Sequence, residues 1–261
     1  MTSFWISLFV VGFAIASFAY VYALRVQVMA VVDLIWTAGV GVAALAYLFV
    51  SEADTMRGYA VGLLIVMWSS RLSIHLFKDR VLKRKEDSRY ANLAEFWGKS
   101  AKRNFYFLFL GQVLFVALFL VPISIAMSKG VDAWLWSDWV AVIIALVAFA
   151  GEAIADRQLA RFRADPDNKG EVCQRGLWRY SRHPNYFFEW LHWWSYVAFA
   201  WNSPNWWWVF IGPVAMYLFL RYLTGIPHAE RSSLKSRGDA YRQYQQTTSV
   251  FFPWIPREPQ S

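Results

Sequence analysis

The chain has 261 residues, of which 57% are hydrophobic and only 17% are charged. This composition excludes a disordered protein and leaves too little polar surface to cover a soluble globule of this size. The single cysteine, Cys173, excludes an internal disulfide, and without Cys/His metal-ligand spacing no metal is expected. The sequence therefore predicts an all-α, polytopic integral membrane protein.

Seven apolar segments follow one another along the chain, each long enough to cross a bilayer alone or with its helical continuation. The uncharged run 190–220 is too long for one span, and the residues Trp201-Asn-Ser-Pro-Asn205 in its middle predict a turn. The sixth helix should begin near Pro184, because proline suits the first turn of a helix. The predicted spans cover about 3–24, 28–50, 58–78, 104–127, 138–160, 185–201 and 206–223, with a tail over 224–261.

The positions of the basic residues predict the orientation of these spans. The segments after spans one, three, five and seven carry 23 Lys and Arg, whereas the opposite loops carry only Arg57 and Lys129. By the positive-inside rule, the N-terminus lies outside and the C-terminal tail lies in the cytoplasm. Membrane orientation and contact with anionic lipid account for most of the net charge of +8, so no nucleic-acid partner is expected.

Ionisable residues inside two spans are the first candidates for a site, because such residues are costly to keep in a membrane. Two sets share helical spacing: Asp33, Trp36 and Thr37 on the second span, and Trp68, Arg71 and His75 on the third. Each set is expected to face inward. Two interpretations stay open: an Asp33–Arg71 ion pair that only fixes helix packing, or a protonated Asp33 that donates a proton or hydrogen bond.

The densest polar segment runs from the cytoplasmic end of the fifth span into the sixth. Arg175, Arg179 and Arg182 supply planar cationic groups suited to phosphates, and Gly176 lets a backbone approach closely. A solvated loop that holds arginines by chance is the plain alternative. Two further sets are each expected to share one helical face: Glu152, Asp156 and Arg163 on the fifth helix, and Asn185, Glu189 and His192 or Trp193 on the sixth.

The tail after the last span is charged and amphipathic. It runs from His228-Ala-Glu-Arg231 through Tyr241-Arg-Gln-Tyr244 to Phe251-Phe-Pro-Trp254. This pattern predicts a helix that ends in an aromatic anchor at the membrane interface. The same helix is also placed to cover a cytoplasmic cavity.

These motifs resemble the steroid 5-alpha-reductase family, especially its bacterial members. The resemblance rests on Arg175-Gly-Leu-Trp-Arg-Tyr-Ser-Arg-His-Pro-Asn-Tyr-Phe-Phe-Glu189, Tyr241-Arg-Gln-Tyr244, Phe252-Pro-Trp254, Asp33-Leu-Ile-Trp36, Trp68-Ser-Ser-Arg-Leu72 and Glu86-Asp-Ser-Arg-Tyr90. It extends over nearly the whole chain and implies one membrane-embedded reductase domain over residues 1–261, in the inner membrane of a bacterium. The Arg-His-Pro-Asn-Tyr element is also shared with sterol C14 and C7 reductases and, more loosely, with isoprenylcysteine carboxyl methyltransferases.

The resemblance implies NADPH-dependent reduction of the Δ4 double bond of a 3-oxo-steroid or similar lipidic enone, without an obligate protein partner. Asp33, Arg71 and Trp68 are the expected catalytic residues, and Trp36, Thr37 and His75 are expected to contact the substrate. The vertebrate enzymes carry a tyrosine where this chain has Trp68, so a hydroxyl group is missing there. The expected cofactor-binding residues are Asp156, Arg163, Arg175, Gly176, Trp178, Tyr180, Arg182, His183, Asn185, Tyr186, Glu189, His228, Glu230, Arg231, Tyr241 and Tyr244.

Enone chemistry gives Asp33 its expected role. Hydride addition at the β-carbon places negative charge on the ketone oxygen, so a donor aimed at that oxygen is needed, and protonated Asp33 helped by Arg71 is expected to supply it. No GxGxxG motif follows a strand, which excludes a Rossmann domain.

Two other functions remain open. A membrane methyltransferase would use S-adenosylmethionine, which lacks the phosphates that the arginines suit. A transporter or lipid-binding scaffold would be expected to show internal repeats, and the sequence shows none.

Overall fold

The computed structural model describes residues 1–51, 53, 55–128 and 133–258, and no β-strand occurs in those ranges. Apolar runs of helical length explain most of the helices, as predicted. Lys129 lies outside the described residues, and the membrane orientation stays a prediction. The helices are α1 (Thr2–Val26), α2 (Val31–Val50), α3 (Met56–Leu76), α4 (Ser88–Trp97), α5 (Ala101–Met127), α6 (Trp136–Ala164), α7 (Pro184–Phe199), α8 (Ile211–Leu218) and α9 (Ile226–Thr247).

Six helical stretches in the described ranges are long and apolar enough to cross a membrane, which confirms an all-α, polytopic membrane protein. The sixth predicted span corresponds to α7, whose 16 residues are fewer than the roughly 20 of a typical membrane helix. The six stretches are Thr2–Val26, Val31–Val50, Met56–Leu82, Ser88–Met127, Trp136–Ala164 and Trp206–Thr247.

The predicted turn between α7 and α8 is confirmed. Asn202 and Asn205 both adopt left-handed backbone conformations, with φ of 61° and 62°. Asparagine tolerates that region better than most residues because its short polar side chain can form local hydrogen bonds. The predicted start of the sixth helix is also confirmed, since α7 begins at Pro184.

Helix α4 was not predicted, because it lies between the third and fourth predicted spans, where the sequence shows basic residues and no long apolar run. Its signals are local. The Asp87 side chain accepts a hydrogen bond from the Arg89 backbone N–H, as N-cap residues do. At the other end, Gly98 adopts a φ of 48°, which favours glycine after a helix.

The first compact unit comprises Met1–Leu135 and Phe199–Ile211. Helix α2 packs against α3 and α5, and α1 packs against α5. Helices α2 and α3 approach closely at Gly41, where a Cβ atom would lie 2.3 Å from Ser69 Oγ. Ser69 Oγ also donates to the Thr37 carbonyl at 2.8 Å, so the two helices are joined by a buried hydrogen bond as well as by packing.

The second compact unit comprises Trp136–Ala198 and Gly212–Ser261. Within it, α6 contacts the 3₁₀ turn Gly176–Arg179, and α9 contacts the π-helical turn Phe219–Leu223. The segment after α9 lies against the residues that precede α7. Three hydrogen bonds fix this contact: Arg182 N to Ser249 O at 2.8 Å, Trp254 N to Tyr180 O at 2.9 Å, and Ser181 Oγ to Phe251 O at 2.8 Å.

Candidate functional site

Asp33, in the first turn of α2, is the centre of a polar cluster in the first unit. Its Oδ1 accepts a hydrogen bond from the Tyr90 hydroxyl at 2.6 Å, and its Oδ2 accepts one from Arg89 Nη2 at 2.7 Å. Asp33 therefore forms its ion pair with Arg89, and not with Arg71 as the sequence had suggested. The reason is α4, the unpredicted helix whose first turn presents both Arg89 and Tyr90 to Asp33.

The segment before α4 extends this cluster. Arg89 also donates to Asp87 Oδ2 at 2.9 Å, and Asp87 forms a second ion pair with Arg80 at 2.7 Å. Burial is the largest influence on the Asp87 carboxyl and raises its pKa, but the Arg89 hydrogen bonds and the two arginine charges outweigh it and leave the pKa lowered. In this network both oxygens of Asp33 act as acceptors. The cluster thus presents Arg89 and Tyr90, rather than a protonated Asp33, as its donors.

Trp36, one turn along α2 from Asp33, carries a buried donor without an acceptor. Its ring packs edge-on against Trp68, with centroids 5.7 Å apart, and against Phe119 at 5.4 Å. Its Nε1 is buried, and no described residue accepts a hydrogen bond from it. Burying such a donor unpaired costs roughly 1–3 kcal/mol. An acceptor on a bound ligand would remove that cost.

The other residues of this unit that were predicted to be catalytic or to contact the substrate differ in their surroundings. Trp68 is completely buried, so we assign it to positioning Trp36 by packing. Thr37 is buried, and its Oγ1 lies 3.0 Å from Ser73 Oγ. Arg71 is half-buried.

The expectation that His75 faces inward is wrong. Its side chain is 68% exposed, and its Nε2 lies 3.6 Å from Asp79. The register of α3 explains this placement, because the face that meets α2 carries Ser69 and Ser73, whose hydroxyls contact Thr37. His75 lies two residues beyond Ser73 and so points to a different side of the helix.

A second cluster, which we call the arginine cluster, consists of Arg163, Arg175 and Arg237 in the second unit. Burial has the largest effect on the Cys173 thiol and raises its pKa. The positive charges of all three arginines lower that pKa, although by less than burial raises it. Each of the three guanidinium groups therefore lies close enough to Cys173 for its charge to act on the thiol. The Arg175 guanidinium lies over the Phe162 ring, 5.9 Å from its centroid, and no ion pair joins any of the three arginines to another described residue. Arg237 Nε donates to the Glu171 carbonyl at 2.8 Å. Guanidinium groups without an ion pair suit phosphates.

Asn185, in the first turn of α7, lies beside Asp156 of α6. Its Nδ2 donates to Asp156 Oδ1 at 3.3 Å. Both residues were expected to bind the cofactor, and they do lie side by side. Its Oδ1 is buried and has no described hydrogen-bond donor. Buried polar side-chain atoms are usually satisfied, so this oxygen fits a donor from a ligand, such as a hydroxyl or amide group.

Arg182 was predicted to bind the cofactor, but its guanidinium instead forms hydrogen bonds with other residues of the protein. Its side chain is only 9% exposed. It donates to Glu230 Oε1 at 2.7 Å, to the Gln245 carbonyl at 3.0 Å and to the Thr248 carbonyl at 2.6 Å. These bonds tie the segment before α7 to both ends of α9. We therefore correct its expected role from phosphate binding to holding the tail.

Glu230 and His183 belong to the same network. Glu230 Oε2 accepts from Gln245 Nε2 at 2.9 Å, and its Oε1 lies 3.4 Å from His183 Nε2. Burial lowers the pKa of His183 more than the nearby Glu230 raises it, so the pKa of the ring lies below its ordinary value. That ring stacks on Tyr186, with centroids 5.6 Å apart.

Two aromatic residues expected at the cofactor also have structural roles. Trp178 Nε1 donates to the Ala155 carbonyl at 2.9 Å, which joins the 3₁₀ turn to α6. The Tyr244 hydroxyl donates to the Trp178 carbonyl and contacts the Ser181 carbonyl at 3.2 Å. Tyr241 is buried beside Tyr244, their ring centroids 5.8 Å apart.

For the remaining expected residues the structure gives placement only. Tyr180 and Arg231 are exposed, His228 is half-buried and Glu189 is buried. Their contact with a cofactor stays a prediction.

Gly176 makes room for a side chain of the protein itself. Its φ is +59°, and a Cβ atom there would lie 2.4 Å from Gln158 Nε2. Gln158 Oε1 accepts a hydrogen bond from the Leu177 N–H at 2.9 Å. The close approach that the sequence predicted is therefore made by Gln158.

Substituting Gly176→Ala should destabilise the protein by about 1–2 kcal/mol from backbone strain, and further because Gln158 must move. Thermal unfolding of the detergent-purified protein measures the loss. Gly170→Ala is the matched control, since Gly170 also has a positive φ but open space around it. Equal losses in the two variants would contradict the role given to Gln158.

A comparison of the sequence with known protein families identifies a family for this chain. A family described as a protein of unknown function (DUF1295) matches residues 19–248. The chain belongs to the DUF1295 family. This family includes steroid 5-alpha-reductase-like proteins. An uncharacterized protein of Schizosaccharomyces pombe is 29% identical, over 72% of this chain, which spans about 60% of that relative's length.

Both clusters of this DUF1295 protein lie within the matched residues, but sequence reasoning missed some of their members. Arg89 and Tyr90 were quoted only as part of a motif, and Arg237 was not singled out. The available signal for Arg89 and Tyr90 was Asp87, an N-cap residue that starts a helix just before them. No local signal identifies Arg237, because its neighbours in the cluster are more than 60 residues away in the chain.

Proposed function

We propose that this DUF1295 protein is an NADPH-dependent reductase of a lipidic enone, such as the Δ4 double bond of a 3-oxo-steroid. The observation that carries the proposal is the arginine cluster, whose three guanidinium charges all act on Cys173 and form no ion pair with a described residue. A phosphorylated dinucleotide supplies the negative charge that such a cluster lacks. The family resemblance over residues 175–189 supports the same assignment.

The residues of the second unit fit NADPH. Arg163, Arg175 and Arg237 would hold its phosphates, since guanidinium groups bind phosphate oxygens through paired hydrogen bonds. Asn185 Oδ1, buried without a described donor, would accept from a ribose hydroxyl or the carboxamide, with Asp156 orienting the Asn185 amide. When bound, NADPH supplies the hydride that adds to the β-carbon of the enone.

Trp36 is the proposed donor to the ketone oxygen. Preorganised donors aimed at an oxygen that gains negative charge are a large part of catalysis in such reactions. Trp36 Nε1 is a buried donor awaiting an acceptor, and we assign it to the ketone oxygen. Asp33 acts as a positioning residue, because it holds Arg89 and Tyr90 through their hydrogen bonds. Water supplies the proton that completes the reduction at the α-carbon.

Substituting Arg237→Gln should weaken NADPH binding about tenfold or more, because a hydrogen bond to a charged group contributes roughly 1.5–3 kcal/mol. NADH binding should weaken less if Arg237 contacts the 2′-phosphate. Fluorescence titration of detergent-purified protein with each nucleotide measures both affinities.

Arg161→Gln is the control, because Arg161 is an exposed arginine on α6 outside the cluster. It should leave both affinities unchanged. An Arg237→Gln variant with wild-type NADPH affinity would contradict the assignment. Tight binding of S-adenosylmethionine without binding of NADPH would favour the methyltransferase.

A further inference from the structure

An open cavity of about 380 Å³ lies beside the segment after α9 in the second unit. Its volume is at the lower end of the roughly 300–1,000 Å³ of small-molecule sites. None of the three members of the arginine cluster lines it. The side chains that matter for its chemistry are Arg182, Arg221, Glu230, Gln245, Trp254 and Arg257.

The cavity carries two uncompensated positive charges. Arg182 is neutralised by Glu230, whose carboxylate lies 2.7 Å from its Nε. Arg221 lies over the Tyr222 ring, 5.0 Å from its centroid, and forms no ion pair with a described residue. Arg257 likewise has no described ion-pair partner, although its backbone N–H donates to the Thr247 carbonyl at 2.8 Å. An anion would balance the remaining charge.

The rim of this cavity is apolar and exposed. Trp254 and Ile255 line the cavity and are 71% and 77% exposed, and Tyr222 and Leu223, next to Arg221, are more than half exposed. Arg221 itself follows α8, in the π-helical turn Phe219–Leu223. Aromatic residues and a cation at the end of an apolar helix are typical of the membrane interface. A fully hydrated anion would make no favourable contact with this apolar rim, whereas the acyl chains of a phospholipid would pack against it.

We propose that this cavity binds the headgroup of an anionic phospholipid. Arg221 and Arg257 hold the phosphate, and Trp254 and Ile255 contact the glycerol and the first carbons of the acyl chains. Arg182 and Glu230 form the wall of the site, since their hydrogen bonds are already used within the protein. The site is distinct from the arginine cluster and does not depend on the reductase proposal.

Native mass spectrometry of the full chain in detergent tests the site with two lipids, phosphatidylglycerol and zwitterionic phosphatidylcholine. The wild type should bind phosphatidylglycerol more tightly. The double variant R221Q/R257Q should lose affinity for it by roughly fivefold for each arginine. Glycerol 3-phosphate distinguishes a lipid from a soluble phosphate and should bind far more weakly than phosphatidylglycerol.

The control double variant R84Q/R161Q removes two exposed arginines elsewhere and should keep wild-type lipid binding. Should R221Q/R257Q fail to fold, a photoactivatable phosphatidylglycerol should label residues 249–257 of the wild type. The proposal is overturned by equal binding of the two lipids, by equally tight binding of glycerol 3-phosphate, or by labelling confined to other segments. Displacement of phosphatidylglycerol by NADPH would assign the cavity to the nucleotide and overturn it as well.

Discussion

Replacing Arg182 by leucine should lower the free energy of unfolding by about 3–5 kcal/mol, the cost of removing one partner from a buried ion pair. The substitution leaves the Glu230 carboxylate without its guanidinium and removes the donor of the Gln245 and Thr248 carbonyls. Equilibrium unfolding of the protein in mixed detergent micelles measures the loss.

Arg179→Leu is the control for this substitution. Arg179 belongs to the same basic motif but is exposed, and no ion pair involving a described residue holds it. Its replacement should change stability by less than about 0.5 kcal/mol, as surface substitutions usually do. If Arg182→Leu kept wild-type stability but lost NADPH affinity, Arg182 would be a phosphate ligand, as the sequence alone suggested.

Replacing Trp36 by phenylalanine should lower kcat for enone reduction by about 10²–10³, the usual cost of removing one donor to a developing oxyanion. Phenylalanine keeps a ring against Trp68 and Phe119 but lacks the indole N–H. NADPH affinity should be unchanged, because Trp36 is not among the residues assigned to the nucleotide. Steady-state kinetics with a 3-oxo-Δ4 steroid, together with nucleotide titration, separate the two effects.

Trp207→Phe serves as the matched control, since Trp207 is a 70% exposed tryptophan of the same unit. It should retain wild-type kcat. A Trp36→Phe enzyme that turns over at the wild-type rate would remove Trp36 from the catalytic machinery. Arg89, whose guanidinium has further N–H groups, would then be the next candidate for the donor.

The membrane helices could be predicted from sequence because their signals are local. Runs of bilayer length mark four of the seven predicted spans: 3–24 and 104–127 are uncharged, and 28–50 and 206–223 each contain one charged residue. The break between α7 and α8 was readable because Asn202 and Asn205 take backbone conformations that few other residues tolerate. Pro184 marked the start of α7 for an equally local reason.

The partners within the clusters could not be predicted, because they depend on tertiary packing. Asp33 meets Arg89 across 56 residues of sequence, and a short charged helix brings them together. Arg175 and Arg182 belong to the same basic motif, yet Arg182 is buried against backbone carbonyls and Arg175 is exposed. The same guanidinium chemistry that binds phosphate also satisfies carbonyl oxygens, so burial decides which role each residue takes.

The most direct test of the central claim follows a labelled hydride. The purified protein is supplied with NADPH deuterated at the transferable C4 position and with progesterone, and the product is examined by mass spectrometry. The account predicts one deuterium at the β-carbon of the former enone, one solvent proton at the α-carbon, and loss of the label when Arg175 and Arg237 are both replaced by glutamine. Consumption of neither NADPH nor the steroid, with the nucleotide failing to bind at saturating concentration, would contradict it.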